Sequence, residues 1–194
     1  MLPERVLVFC ASSRSCHPAY QDAAARLGRS LAARAVGIVY GGGAHGSMGA
    51  LADAALAEGG HVHGVIPHFM RELEWAHDEL ARLDLVDDMR ERKRRMLDAA
   101  DAVVALPGGC GTLEELMEAI TFKRLGLYTG PIVMVDTRGF FSACTALLER
   151  CIEERFMAPA HRDMWQTVDD PEDVLDAIAQ APAWPRTARA FAQS

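Results

Sequence analysis

Pro107-Gly108-Gly109-Cys110-Gly111-Thr112-Leu113-Glu114-Glu115 joins a glycine-rich turn to a pair of carboxylates. Val103 to Leu106, just before it, is a short apolar run with β-branched residues, the pattern of a strand buried on both faces. Pro107 and the glycines at 108, 109 and 111 predict a tight turn bare of side chains. From Thr112 the period becomes helical, with Leu113, Leu116, Met117 and Ile120 on one face. A strand, a bare turn and a helix start together make an anion cradle. The first-turn N–H groups lack intrahelical acceptors, and the helix dipole adds partial positive charge. This reading puts Glu115 in the first turn, roughly 150° from the apolar stripe at about 100° per residue. An acid beside an anion cradle suits chemistry on a phosphorylated molecule. Complementing the helix dipole is the plainer role for the same residue.

The second candidate is a cation. Asp87-Asp88-Met89-Arg90-Glu91-Arg92-Lys93-Arg94-Arg95-Met96 reads as a helix capped by Asp88 and ending near Ala100. Most of its positive charges belong to a solvated face. Met89, Arg92 and Met96, however, share a side at spacings of three and four, which turns Arg92 toward apolar neighbours. A guanidinium held there and facing a crevice offers a planar fork of donors to a phosphate.

The elements that must position these groups alternate. Strands are predicted over Val6 to Cys10, Gly37 to Tyr40, His61 to Ile66, Leu83 to Val86 and Pro131 to Val135, the last in the chain. Helices are predicted over Ala19 to Ala35, Gly46 to Glu58, Phe140 to Glu153 and Pro171 to Ala179. That alternation predicts an α/β fold, a Rossmann-like doubly wound and mostly parallel sheet with helices on both faces and a crevice at the strands' C-terminal edge. Ala11-Ser12-Ser13 follows the first strand and Gly41-Gly42-Gly43 the second, so two more strand ends offer ligand contacts or simple turns. His45 in the second glycine loop is a ligand contact or loop filler. Residues 1–180 are expected to form one domain, and 181–194, rich in Ala and Pro, a loosely held tail.

The motif from Pro107 to Glu115 resembles PGGxGTxxE of the LONELY GUY (LOG) family, whose members are cytokinin riboside 5'-monophosphate phosphoribohydrolases often labelled lysine decarboxylases. The resemblance runs from about Val6 to about Val174. Met89 to Met96 is similar to the family's MHxRKxxM, with Arg90 in place of His, and Gly41 to Gly49 is similar to YGGGxxGLMG, with Ser47 in place of Leu. Ala11 stands where the family has Gly before its serines. The resemblance implies catalytic roles for Arg92 and Glu115. It implies substrate or phosphate contacts at Glu74 (in Glu74-Trp75-Ala76-His77), Lys93, Gly108, Gly109, Cys110, Gly111, Thr112, Leu113, Glu114 and Thr121, with Ser12, Gly42 and Gly43 from the earlier strand ends. Phe122 stands where many relatives have Trp and lines a base pocket, a dimer seam or the core. The implied reaction is hydrolysis of the N-glycosidic bond of a nucleoside 5'-monophosphate such as AMP or an N6-substituted AMP. No metal or redox cofactor is implied, and a homodimer is.

Other classes fit less well. A nucleosidase acting on plain AMP and a nucleotide sensor without turnover both keep the same fold; an acid beside the cradle favours turnover, since binding alone does not need one. Neither glycine turn is followed at dinucleotide spacing by a strand-end acid, which disfavours a dehydrogenase. No lysine has a convincing Schiff-base context. His61, His63 and His68 invite a metal but lack carboxylate or cysteine ligands at metal spacing, and Cys110 has no histidine close in sequence to activate it as a nucleophile. A formal charge of −7 argues against a general nucleic-acid binder. Five cysteines without a C-x-x-C pair, no membrane-length apolar run and a start without signal-peptide layout predict a cytoplasmic protein.

Overall fold

The structure, a computed structural model, describes residues 2–73 and 75–190. Its strands are β1 (Arg5–Phe9), β2 (Gly37–Tyr40), β3 (Val62–Pro67), β4 (Arg82–Val86), β5 (Ala102–Ala105), β6 (Ile132–Val135) and β7 (Gln166–Val168). The helices between and after them are α1 (Pro18–Ala33), α2 (Gly46–Ala57), α3 (His68–Glu72), α4 (Met89–Asp98), α5 (Cys110–Arg124), α6 (Ser142–Glu153) and α7 (Val174–Gln180). All strand pairs are parallel, in the order β4-β3-β2-β1-β5-β6-β7. The winding reverses beside β1, between β2 and β5. The C-terminal ends of β1 and β5 therefore form the switch point at which open α/β sheets hold ligands.

Strand alternation divides the core in two. Val6, Val8, Ile38, Tyr40, Val104 and Val133 face α1, α2 and α7, while Leu7, Phe9, Val39, Val103 and Met134 face α4, α5 and α6. Strands β2 and β5, on either side of the central β1, are buried on both faces, which is why they read as unbroken apolar runs. Helices α1 and α2 approach closely at Gly28, where an added Cβ would stand 2.4 Å from the Leu51 carbonyl oxygen. Among the described residues, no helix is long and apolar enough to cross a membrane.

Three local expectations change. The last strand is β7, not β6; it has three residues, none fully buried, and so carries no apolar run. The expected final helix splits into a 3-10 turn at Pro171–Asp173, capped by Asp170, and α7. The end of the chain is also not loose through residue 190. The Trp184 indole N–H donates to the Lys123 carbonyl at 2.6 Å and lies near the Lys123 ammonium, and Ala188 is fully buried against the α5 side. The Ala- and Pro-rich composition hid this docking because one aromatic ring supplies most of it.

Trp184→Ala is expected to lower unfolding stability by about 3 kcal/mol, measured by chemical denaturation. A loosely held tail would give a change within about 0.5 kcal/mol.

Candidate active site

Helix α5 begins at Cys110, two residues before the expected start at Thr112, with Gly109 as its cap residue. Glu115 therefore lies in the second turn and not the first, and the dipole-complementing role loses its geometry. The buried face of α5 is also rotated from the expected stripe. It carries Thr112, Glu115, Leu116, Ala119, Ile120 and Lys123, while Leu113 and Met117 are only half-buried. Glu115 points inward with Thr112 and Ala119, and is 7% exposed.

Arg92 meets it there from α4. Asp88 caps that helix by accepting from the Arg90 and Glu91 N–H groups, and Arg92 and Met96 are its buried residues, as their spacing predicts. Arg92 is 5% exposed, and a buried guanidinium needs partners. Its Nε donates to the Val65 carbonyl at 3.0 Å and its Nη2 to the Gly41 carbonyl at 3.0 Å. Its Nη1 lies 3.8 Å from Glu115 Oε1 and 3.8 Å from Met89 Sδ. Gly41 has no room for a side chain, because a Cβ would stand 2.0 Å from Arg92 Nη2.

Burial pushes the Glu115 carboxyl up to about 7, against the opposing pull of Arg92. Burial also lowers the Arg92 guanidinium from its ordinary value, with Glu115 acting the other way. The buried Cys10 thiol is pushed far up for the same reason, so it stays protonated.

These two groups sit in a cleft of about 540 Å³. One side comes from the β1, β2 and β5 ends: Ser12, Ser13, Arg14, Gly43, His45, Gly109, Gly111 and Thr112. Another is apolar, from Ile66, Met70, Trp75 and Met89. Gly109 and Gly111 have no steric or conformational need to be glycine: a Cβ on either would meet nothing within 4 Å, and neither has a positive φ. Their side chains would instead stand in open space beside the cleft, above the free N–H groups at the start of α5.

The cleft gathers Arg92, Glu115, Ser12, Gly43, Gly109, Gly111, Thr112 and Glu114. Other expected contacts lie elsewhere. Lys93 links α4 to α5 by pairing with Glu114 and, at 3.1 Å, with Glu118. Gly108 makes room for the Thr112 side chain, and Gly42, at φ +75°, accepts from the His77 N–H through its carbonyl. Cys110 is exposed beside the cleft, and Leu113 packs on the core. Thr121 is exposed and donates to the Met117 carbonyl at 2.8 Å; Phe122 packs on the core. Glu74 falls outside the described residues, but its neighbour Trp75 lines the cleft. His77 anchors that segment through Nε2, 3.0 Å from Asp53. His61, His63 and His68 do not form a cluster: His63 pairs with Asp84 at 2.9 Å, and His68 lies 3.9 Å from Asp87. Met48, Met70, Trp75 and Arg14 were not singled out from the sequence. For Arg14, its place just after Ser12-Ser13 at a strand end was the available signal.

A family model described as possible lysine decarboxylase matches residues 48–178. An Arabidopsis thaliana cytokinin riboside 5'-monophosphate phosphoribohydrolase is 39% identical over 175 residues, covering 90% of this chain and 82% of the relative. A probable cytokinin riboside 5'-monophosphate phosphoribohydrolase of Oryza sativa subsp. japonica is 38% identical over 176 residues, 91% of this chain and 78% of the relative. Among solved structures, the molybdenum cofactor carrier protein of Chlamydomonas reinhardtii superposes with a TM-score of 0.69 at 18% identity, covering 91% of this chain and 96% of that one. That likeness is one of fold.

Gly41→Ala is expected to displace the Arg92 guanidinium and lower kcat/KM about 100-fold while the far-UV circular dichroism is unchanged. Glu115 has a pH signature as well. Its folded value, about 7, lies above the ordinary 4.5, so its contribution to stability is full below pH 4.5 and is lost as pH rises through 7. Glu115→Gln stays neutral throughout. It is expected to gain about 1–3 kcal/mol on wild type between pH 4.5 and pH 8, read from denaturation midpoints at the two pH values.

Proposed function

Since the chain belongs to the LONELY GUY family of cytokinin riboside 5'-monophosphate phosphoribohydrolases, we propose that it hydrolyses the N-glycosidic bond of nucleoside 5'-monophosphates to free base and ribose 5-phosphate. The observation that carries the reading is the buried Arg92–Glu115 pair, 3.8 Å apart, in a cleft with a glycine-floored helix start on one side and apolar side chains on another.

In this reading the 5'-phosphate takes the free N–H groups at the start of α5, with Gly109 and Gly111 leaving the backbone open to it. The base lies against Ile66, Met70, Trp75 and Met89. The sugar then spans Arg92 and Glu115. As the C1'–N bond breaks, its electrons leave with the base, which takes up a proton from solvent that the one later released from Glu115 restores, and positive charge develops on the ribose, as in other glycosidic cleavages. The Glu115 carboxylate stabilises that charge and receives a proton from the water that attacks C1'. Arg92 stays protonated; it holds Glu115 in place and favours its ionised form. Phosphate binding positions the sugar, so binding energy away from the reacting carbon supports the chemical step.

The apolar wall favours a base carrying an apolar N6 substituent over plain adenine. We read the protein as a homodimer in which the exposed Leu125, Leu127, Leu147 and Phe156 are covered, and as cytoplasmic, which its five free cysteines support.

Chromatography of products from a panel of nucleotides and nucleosides tests the activity. Wild type is expected to release base from monophosphates and not from nucleosides. Glu115→Ala and Arg92→Ala are each expected to lose at least about 100-fold in kcat. Tight nucleotide binding with no product from wild type would make the protein a sensor instead.

A further inference from the structure

Among the described residues, the cleft contains one cation, Arg14, with no carboxylate facing it. Of its two acids, Glu114 is taken by Lys93 and Glu115 faces Arg92. Arg14, also in the lining, has no carboxylate partner among the described residues. It rests on the ring of His45, with Nη2 2.7 Å from Nδ1 and 2.8 Å from Nε2. A donor nearly equidistant from both ring nitrogens cannot make a well-directed bond to each, so it rests against the ring. The guanidinium is placed without being locked, whereas Arg92 is held by two carbonyls.

The position of Arg14 fits an anion. It belongs to the loop after β1, the strand beside which the winding reverses. On one side that loop is tied to the start of α2. The Met48 N–H donates to the Ala11 carbonyl at 3.1 Å, and Gly46, at φ +59°, passes so near that a Cβ would stand 2.3 Å from the Ser13 carbonyl oxygen. On the other side, the Leu106 N–H donates to the Phe9 carbonyl at 2.9 Å and keeps the β1 and β5 ends adjacent. Arg14 and the glycine-floored start of α5 thus line the same cleft, from the loop after β1 and from the end of β5, while the apolar wall comes from β3, α3, α4 and Trp75. An exposed arginine with no carboxylate to neutralise it would ordinarily be a solvated surface group. Here it lines a cleft together with a bare helix start, two glycines and a serine pair, all suited to negative charge.

Building on the proposed hydrolysis, we propose that Arg14 is a specificity-determining residue that reads the 5'-phosphate of the substrate, turning from the His45 ring to do so. The contact forms on binding and does not change as the glycosidic bond breaks, so it acts on KM and leaves kcat alone. It also separates a monophosphate from its nucleoside.

Steady-state kinetics with AMP and with an N6-substituted AMP test this on wild type, Arg14→Ala, Arg14→Lys and the control Arg29→Ala, an exposed cation on α1. Arg14→Ala is expected to raise KM about 10- to 100-fold with kcat within about twofold, as loss of one charge-assisted hydrogen bond predicts. Inhibition by inorganic phosphate should weaken in parallel, Arg14→Lys should recover part of both, and Arg29→Ala should change neither. Unchanged KM and phosphate inhibition in Arg14→Ala would overturn the inference, as would a loss confined to kcat. If wild type turns over no nucleotide, the hydrolase reading fails. Calorimetric titration with AMP then decides the role of Arg14 separately: weaker binding by Arg14→Ala upholds it, and equal binding overturns it.

Discussion

Burying a guanidinium is the constraint around which the cleft is built. Arg92 gives up water and must find acceptors in the protein. Two are main-chain carbonyls, on β3 and just past β2, and the third neighbour is the Glu115 carboxylate. Each partner carries a demand of its own. The Gly41 carbonyl can be reached only because Gly41 has no side chain. The Val65 carbonyl must be within reach of α4, and Glu115 must be buried in turn. Arg92 is thus fixed by the sheet, and Glu115 takes its place from Arg92.

The pair is not comfortable. Burial raises the Glu115 carboxyl although Arg92 faces it, so desolvation outweighs attraction at 3.8 Å. A carboxylate poised near neutral pH exchanges protons readily, the property expected of a group that takes a proton from water. The same poise costs stability once the group ionises. Strain of this electrostatic kind persists where the surrounding packing enforces it. Here the enforcing elements are the double-faced core strands and the α4–α5 link through Lys93.

Much of this was legible in the chain. Apolar runs located six of the seven strands, and the spacing of Met89, Arg92 and Met96 placed Arg92 inside. The glycine motif marked a strand end that lines the cleft. The misses share a cause: periodicity counts apolar residues, and α5 turns a Thr, a Glu and a Lys inward. An inward polar face cannot be read from hydrophobicity, so Glu115 was placed one turn too early and on the wrong side of the stripe. The apolar wall was missed because Ile66, Met70 and Trp75 are scattered through β3, α3 and the segment after it. They lie within ten residues of one another, but no single helical or strand period joins them. Trp184 was missed because a single ring does not alter the composition of its segment.

The all-parallel order has a consequence for how the molecule is made. With no hairpin in the sheet, every neighbouring strand pair closes a long loop; at the centre, the Arg5 N–H meets the Asp101 carboxylate across 96 residues. Assembly of this kind is slow, since chain entropy is spent before contacts repay it. During synthesis, all the groups that line the cleft emerge by Glu115, while the ring that covers Lys123 comes near the end of the chain. Until then Lys123, which burial brings down to about 8 in the folded protein, lacks the ring that packs over it. The residues of the hollow are thus all made before the one that closes the far end of α5.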